Sequence, residues 1–146
     1  MKTIIFDIDG TLANIDKRRK VLEEDPQNWA GFFENMGNDP VNIPIAHLYR
    51  TLYNSNSYNC IIISGRSEKY RPITERWLIW NELPFAKLLL RMEGDTRPDH
   101  EIKQEALQSL IKSGADVSFV VDDRRSVVDM WRRNGIVCLQ CYDFNE

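Results

Sequence analysis

The sequence predicts a doubly wound α/β sandwich built on a parallel sheet, and three observations carry that expectation. Five short runs, residues 3–6, 59–63, 86–92, 117–121 and 136–141, are apolar at consecutive positions and rich in β-branched residues or leucine. Such runs suit strands covered on both faces. Stretches with helical apolar spacing lie between them, the alternation that produces right-handed crossovers and a parallel sheet. At 146 residues, the chain suits one domain with a real core, able to bury about 68–70% of the surface its unfolded form exposes.

The elements follow in order. Thr3-Ile4-Ile5-Phe6 makes the first strand, ending at Asp7. No strand pattern occurs over residues 12–44, where Asp25-Pro26-Gln27-Asn28-Trp29-Ala30-Gly31-Phe32-Phe33-Glu34-Asn35 reads as a single short helix in a long connection. Long connections in compact domains are often lids or binding loops, and this one follows the first strand directly, so it hangs over the carboxyl end of the sheet. Ile45, Leu48, Tyr49 and Leu52 then repeat at i, i+3, i+4 and i+7. Ile73, Trp77 and Trp80 follow Pro72, a first-turn proline. Ile102, Ala106, Leu110 and Ile111 form a stripe between Pro98 and Gly114, which mark a helix start and stop. Val127, Val128 and Trp131 precede Gly135, a C-terminal cap. Repeats are absent, so a single domain over 1–146 is expected, with 12–44 as its one insertion.

Composition narrows the function classes. With 42% hydrophobic and 28% charged residues, the chain is neither disordered nor of low complexity. Nineteen Lys+Arg against twenty-two Asp+Glu give a net charge of −3, so no global positive field marks a nucleic-acid or membrane binder. A local patch is compatible with that balance. The apolar start is cut by Asp7, too early for a signal peptide, and no apolar run could span a bilayer. A cytoplasmic protein with no membrane partner is expected. Three cysteines, an odd number, fit a reducing compartment. Cys138 and Cys141 form a C-x-x-C inside a strand-like run, and only Cys60, His47 and His100 could complete a four-ligand zinc site. They read as strand residues.

The chemistry gathers at strand ends, where open parallel sheets bind ligands. The first strand runs into Asp7-Ile8-Asp9-Gly10-Thr11, the second into Ser64-Gly65-Arg66, and the fourth into Asp122-Asp123-Arg124-Arg125. Asp and Gly after one strand are ordinary turn residues; three loaded ends together are not. Four carboxylates on one rim would repel, so a cation is required, and oxygen donors beside a phosphate site suit Mg²⁺.

These residues resemble the motifs of haloacid dehalogenase (HAD) superfamily phosphatases over essentially the whole chain. Asp7-Ile8-Asp9-Gly10-Thr11 is similar to the first motif, Ser64-Gly65-Arg66 to the second, Lys103 to the third and Asp122-Asp123 to the fourth. More narrowly, Ile63-Ser64-Gly65-Arg66, Gly94-Asp95-Thr96-Arg97-Pro98-Asp99, Val121-Asp122-Asp123-Arg124 and Met130-Trp131-Arg132-Arg133-Asn134-Gly135 resemble the 3′-phosphatase domain of bacteriophage polynucleotide kinase-phosphatases. The resemblance implies a Rossmannoid three-layer sandwich with a small flap or cap insertion after the first strand. It also implies a Mg²⁺-dependent phosphomonoester hydrolase working through an aspartyl-phosphate. Asp7 is then the nucleophile and Asp9 the acid and later the base. The Asp9 backbone carbonyl, rather than its side chain, joins Asp7 on the metal. Asp122 and Asp123 share the remaining work, one ligating directly and one through water or through Lys103. An acid at position 9 favours turnover over a long-lived phosphoenzyme.

Ser64 and the N–H groups after it, Gly65 included, can donate to phosphate oxygens. Lys103 offsets charge on Asp7 and the phosphate, and Asp99 could hold it in place. Thr11, Arg18, Gly65, Arg66 and Asp99 are the expected substrate-binding residues. By resemblance, Arg18 and Arg66 sit where the phage enzyme has substrate-binding arginines, and Arg suits bidentate phosphate contact. Lys17-Arg18-Arg19-Lys20 is either part of that site or a solvated charge run. Trp29, Phe32 and Phe33 could stack on a base, or two of them could pack the loop onto the core. No large cap interrupts the motifs, so the site should be open enough for a polynucleotide 3′-phosphate. The other candidate substrates are small nucleotides or other metabolites, and a receiver-like phospho-signalling domain is a third reading. No G-x-x-x-x-G-K-[ST] occurs, so a kinase domain is not expected in this chain.

Overall fold

In a computed structural model, which describes residues 1–144, five parallel strands form one sheet in the order β3-β2-β1-β4-β5. They are β1 (Lys2–Phe6), β2 (Tyr58–Ser67), β3 (Lys87–Arg91), β4 (Val117–Arg124) and β5 (Cys138–Phe144). The helices are α1 (Asp16–Glu24), α2 (Trp29–Glu34), α3 (Ile43–Asn54), α4 (Arg71–Trp80), α5 (Asp99–Lys112) and α6 (Arg125–Arg133). Short 3-10 turns cover Met36–Asn38 and Glu68–Tyr70. The expected doubly wound α/β fold is therefore present.

Strand periodicity sorts the core into two layers. Ile4, Phe6, Cys60 and Ile62 face one way, onto Ala46 and Tyr49 of α3 and Trp77 and Leu78 of α4. Ile5, Ile61 and Ile63 face the other, onto Leu107 and Leu110 of α5 and Val127, Val128 and Trp131 of α6. Both faces are covered, which is why the strands read as unbroken apolar runs. Cys138 packs with the second layer and Cys141 against the first, so the C-x-x-C pair points to opposite faces. Both thiols are free.

Helix faces differ from the sequence pattern in two places. α4 buries Thr74, Trp77 and Leu78, while Trp80 is 85% exposed. α5 buries Leu107 in place of Ile111, which lies half exposed. In each case a neighbouring residue completes the i, i+3, i+4 stripe better, and the spare apolar side chain faces out.

The insertion departs furthest from expectation. In place of one short helix, residues 12–44 hold α1, α2 and a 3-10 turn. The sequence of α1, Asp-Lys-Arg-Arg-Lys-Val-Leu-Glu-Glu, has almost no apolar stripe, and its one buried residue is Arg18. Its ends are pinned together: the N–H of Asn14 donates to the Pro40 carbonyl at 2.8 Å and that of Asn42 to the Leu12 carbonyl at 2.8 Å. The insertion is thus a closed loop standing at the carboxyl edge of β1.

At that same edge two ladders lose register. The β2–β3 pairing shifts between Ile63 and Ser67, and the β4–β5 pairing between Asp122 and Arg124. Ser64-Gly65-Arg66 and Asp122-Asp123 therefore lie within β2 and β4, at the places where pairing with the neighbouring strand is irregular. Ile62, fully buried at the sheet centre, tests the core. Ile62→Ala should lower stability by about 2–5 kcal/mol, seen as a lower denaturation midpoint with an unchanged slope.

Candidate active site

Asp7 follows β1 immediately, and its N–H still donates to the Val121 carbonyl of β4 at 3.1 Å. That bond fixes Asp7 beside Asp122 and Asp123, and one carboxylate oxygen from each of the three lies within 4.8 Å of the others. All three are buried. Gly10 makes the close turn possible: its φ is +86°, and a Cβ there would lie 2.1 Å from Asp123 Oδ2.

One cation sits among these acids. Lys103, buried in the first turns of α5, donates to Asp7 Oδ1 and to Asp122 Oδ2, each at 2.9 Å. Asp122 also accepts from Trp131 Nε1 at 3.2 Å and from the N–H of Asp123 at 2.9 Å, so both its oxygens are engaged. Thr11 Oγ1 donates to Asp7 Oδ2 at 3.0 Å and lies 3.4 Å from Asp123 Oδ1. Burial and the Asp122 charge push the Asp7 carboxyl well above its usual range, against the pull of Lys103. Burial and Asp122 likewise raise Asp123. Burial disfavours charge on Lys103 too, but Asp122 and Asp7 outweigh it and hold the ammonium protonated.

Asp9 is solved differently. Its carboxylate is gripped by Arg66, with Nε at 3.0 Å and Nη2 at 2.6 Å, and also by Arg18 Nη2. Burial opposes its ionisation, but the Arg66 and Arg18 guanidiniums prevail and hold the carboxyl far below its usual range. Behind them stands Asp39, which takes Arg18 Nε on both oxygens at 3.0 and 2.9 Å. The Asp39 carbonyl accepts from Trp77 Nε1 at 2.8 Å, and Thr74 Oγ1 accepts from Arg66 Nη1 at 3.1 Å. Sequence reading missed Asp39 because Gly37-Asn38-Asp39-Pro40 looks like an ordinary turn.

The remaining predicted residues line the same cavity, of about 630 Å³. Ser64 is buried there, its Oγ accepting from the N–H of Arg66 at 3.2 Å. Gly65 adjoins Asp99, whose Oδ1 would lie 2.4 Å from a Cβ at that position. Asp99 does not hydrogen-bond Lys103, contrary to expectation. It binds Arg91, and Arg124 at 2.9 Å, while Lys103 turns to the two buried aspartates. Arg19, Arg91 and Arg124 line the cavity as well; Arg19 belongs to the basic run and Arg124 to the motif after the fourth strand, whereas Arg91 had no signal in the sequence. The run 17–20 is not one solvated face: Arg18 is buried, Arg19 lies toward Asp123 at 3.6 Å, and Lys17 and Lys20 are exposed. Trp29, Phe32 and Phe33 do not pack into the core, since α2 has no buried residue; they form the cavity's aromatic wall.

The acidic triad fits a hard divalent cation. Three buried carboxylates share the buried Lys103 and the part-exposed Arg19, which lies 3.6 Å from Asp123, leaving excess negative charge among oxygen donors within reach of a single ion. The Asp9 side chain is committed to arginines, so only its backbone remains for such a role. Among the described residues, no helix is long and apolar enough to cross a membrane.

Comparison with known proteins agrees with this geometry. The family described as polynucleotide kinase PNKP phosphatase domain matches residues 1–145. A chain of a Pnkp1/Rnl/Hen1 RNA repair complex superposes with a TM-score of 0.83 and 34% identity, over 99% of this chain and 43% of that one. A protein of Autographa californica nuclear polyhedrosis virus, predicted to be a bifunctional polynucleotide kinase/RNA ligase, is 25% identical over 132 residues, 90% of this chain and 18% of its own length. This chain thus spans less than half of these relatives. A HAD family enzyme of Bacteroides thetaiotaomicron, solved with magnesium and inorganic phosphate, shares the fold at 17% identity, with a TM-score of 0.54 over 100% of this chain and 96% of that one.

The repulsion among the buried acids is measurable. Because the Asp7 pKa is raised, ionising it costs folding free energy: the cost is absent below the ordinary pKa of about 3.9, grows as pH rises above it, and is complete once pH passes the raised folded value. At neutral pH without metal, Asp7→Asn should therefore melt above the wild type. Mg²⁺ should raise the wild-type Tm, and raise that of Asp7→Asn less. A wild-type Tm indifferent to Mg²⁺ would remove the metal assignment.

Proposed function

Because the chain belongs to the polynucleotide kinase PNKP phosphatase domain family, and so to the HAD phosphatases, we propose that it removes the 3′-phosphate from nucleic-acid ends through an aspartyl-phosphate on Asp7. The observation that carries this reading is the pairing of two carboxylates with opposite electrostatics across one cavity. Asp7 sits among like charges beside Lys103, and Asp9 stands two residues on between Arg18 and Arg66.

In the first step an Asp7 oxygen attacks phosphorus in line, and the bond to the ribose 3′ oxygen breaks. Asp9 delivers a proton to that leaving oxygen. In the second step Asp9 takes a proton from water as the water oxygen attacks phosphorus, releasing inorganic phosphate and restoring the Asp7 carboxylate. Lys103 holds Asp7 in place and offsets charge on the phosphoryl group. Ser64 Oγ and the backbone N–H groups beside it donate to phosphoryl oxygens, with Thr11 steadying Asp7. Asp7 and Asp123 would hold Mg²⁺, with Asp122 braced behind by Lys103, and the ion would supply further charge stabilisation to those oxygens. Arg18 and Arg66 are the planar donors that an incoming phosphate dianion can claim from Asp9. As they turn to the phosphate, Asp9 loses the two cations that keep it ionised and can take up the proton its role as acid needs.

A nucleic-acid end is favoured over a free metabolite by the names of the relatives, an RNA repair complex and a polynucleotide kinase/RNA ligase. The rim supports it too, since Arg19, Arg91 and Arg124 stand beside the reaction centre where further phosphates of a strand would run. Residues 1–146 act in this reading as one catalytic domain with 12–44 as its flap.

Release of inorganic phosphate from a 3′-phosphorylated oligonucleotide, measured against nucleoside monophosphates, tests the substrate. The oligonucleotide should be strongly preferred; equal rates would turn the reading toward small nucleotides. Asp7→Asn should abolish hydrolysis, and Asp9→Asn should cost about 10²–10⁴-fold in kcat, as expected for loss of a general acid. Both variants should remain folded by circular dichroism. Activity retained in Asp7→Asn would refute the nucleophile.

A further inference from the structure

The aromatic wall contributed by the insertion has no structural work that explains it. α2 is six residues long with three large aromatic rings and no buried side chain. Trp29, Phe33 and Tyr70 form a column: Trp29 and Phe33 stack with centroids 6.0 Å apart at 29°, and Phe33 and Tyr70 with centroids 5.2 Å apart at 21°. Phe32 stands edge-on to both α2 neighbours, at 5.6 Å from Trp29 and 5.3 Å from Phe33. Lys69 Nζ covers the Tyr70 end, 5.7 Å from its centroid. At the other end Trp29 is 53% exposed. The column is therefore closed at one end and open at the other.

The open end faces the reaction centre. Trp29, Phe32 and Phe33 line the same cavity as Asp7, Asp9, Ser64 and Arg66. One residue joins the two halves: the Arg18 guanidinium lies 4.7 Å above the Phe32 ring while it bonds Asp9. A ligand filling this cavity has an anionic head at the arginines and a flat apolar body against the rings.

Resting on the proposed nucleic-acid substrate, we propose that Trp29, backed by Phe33 and Tyr70, is the platform on which the base of the terminal 3′-phosphorylated nucleotide stacks. Every base offers a π face, so such a platform binds strand ends with little regard to sequence. Edge-on packing of Phe32 keeps the column upright without blocking it. The stack also selects against phosphomonoesters that carry no ring, since these leave the wall exposed to water.

Steady-state kinetics on the full chain separate the possibilities, using two oligonucleotides that differ only in whether the 3′-phosphorylated residue carries a base. For the base-bearing strand, Trp29→Ala should raise KM about tenfold, the size expected for losing one base–aromatic stack, with the loss confined to KM. Trp29→Phe should recover most of it. On the strand with a baseless end, the difference between wild type and Trp29→Ala should shrink to near zero. If the wild type hydrolyses the strand but KM ignores both the missing base and Trp29→Ala, the platform is refuted while the phosphatase reading stands. If the wild type does not hydrolyse 3′-phosphorylated strands at all, the substrate reading fails and the platform with it.

Discussion

Four aspartates at one edge of a sheet cannot all be ionised in a buried setting without counter-charge, and much of this molecule answers that constraint. It is met twice, by different means. Asp7, Asp122 and Asp123 share one buried lysine reaching in from α5 and a longer contact from Arg19, which leaves the group short of positive charge. Asp9, two residues from Asp7, has two guanidiniums, balanced by a second acid, Asp39. The first arrangement is under-neutralised and calls for a cation. The second carries its own counter-charge, and within it Arg18 Nη1 is buried without a hydrogen-bond partner.

The second arrangement also explains why the insertion folds as it does. α1 has too few apolar residues to dock by burial, and its residues would pass for a solvated run. Arg18 draws it in: the side chain crosses from α1 to Asp9 beside β1 and to Asp39 after the 3-10 turn. Arg66 brings the end of β2 to the same carboxylate, and Trp77 ties Asp39 to α4. A buried charge with several good hydrogen bonds costs little to keep and much to break. The flap is thus registered on the catalytic edge by the residues that meet the substrate phosphate in the proposed reaction, so substrate arrival and flap position are linked through Arg18.

How much of this could be read from the chain follows from the kind of force involved. Strands buried on both faces leave consecutive apolar residues, so β1, β2 and β4 were plain from runs such as Ile4-Ile5-Phe6 and Ile61-Ile62-Ile63. The catalytic edge was legible because its residues sit directly after those runs, where local order along the chain fixes position. Lys103 needed the family resemblance, since nothing within α5 distinguishes it from a surface lysine. Asp39 and Arg91 stayed hidden because their partners are distant in sequence or lie across loops, and a charge pairing between separate segments leaves no local period. The same reason hid α1, a helix held by one buried arginine rather than by a stripe. Trp29, Phe32 and Phe33 were singled out correctly as a group but not as to side: aromatic composition does not tell a core face from a cavity wall.

The choice of arginine for both counter-ions of Asp9 has a further consequence. A lysine is a point charge and could satisfy a carboxylate from many directions, whereas a guanidinium offers a planar pair of donors that fits a carboxylate and a phosphate almost interchangeably. Arg66 presents Nε and Nη2 to Asp9 in that forked manner while Nη1 is anchored on Thr74. Its position is therefore fixed from behind, and only its forward face is exchangeable. Arg18 is anchored in the same way, by Nε on Asp39. In the proposed reaction Asp9 stands in for the substrate phosphate, holding the forward donors of Arg18 and Arg66 until the phosphate arrives. When a phosphate takes its place, the cations need not move far, and the displaced carboxyl is left beside the leaving oxygen with its reason for staying ionised removed. On the proposed reaction, the same exchange that binds the substrate arms the acid.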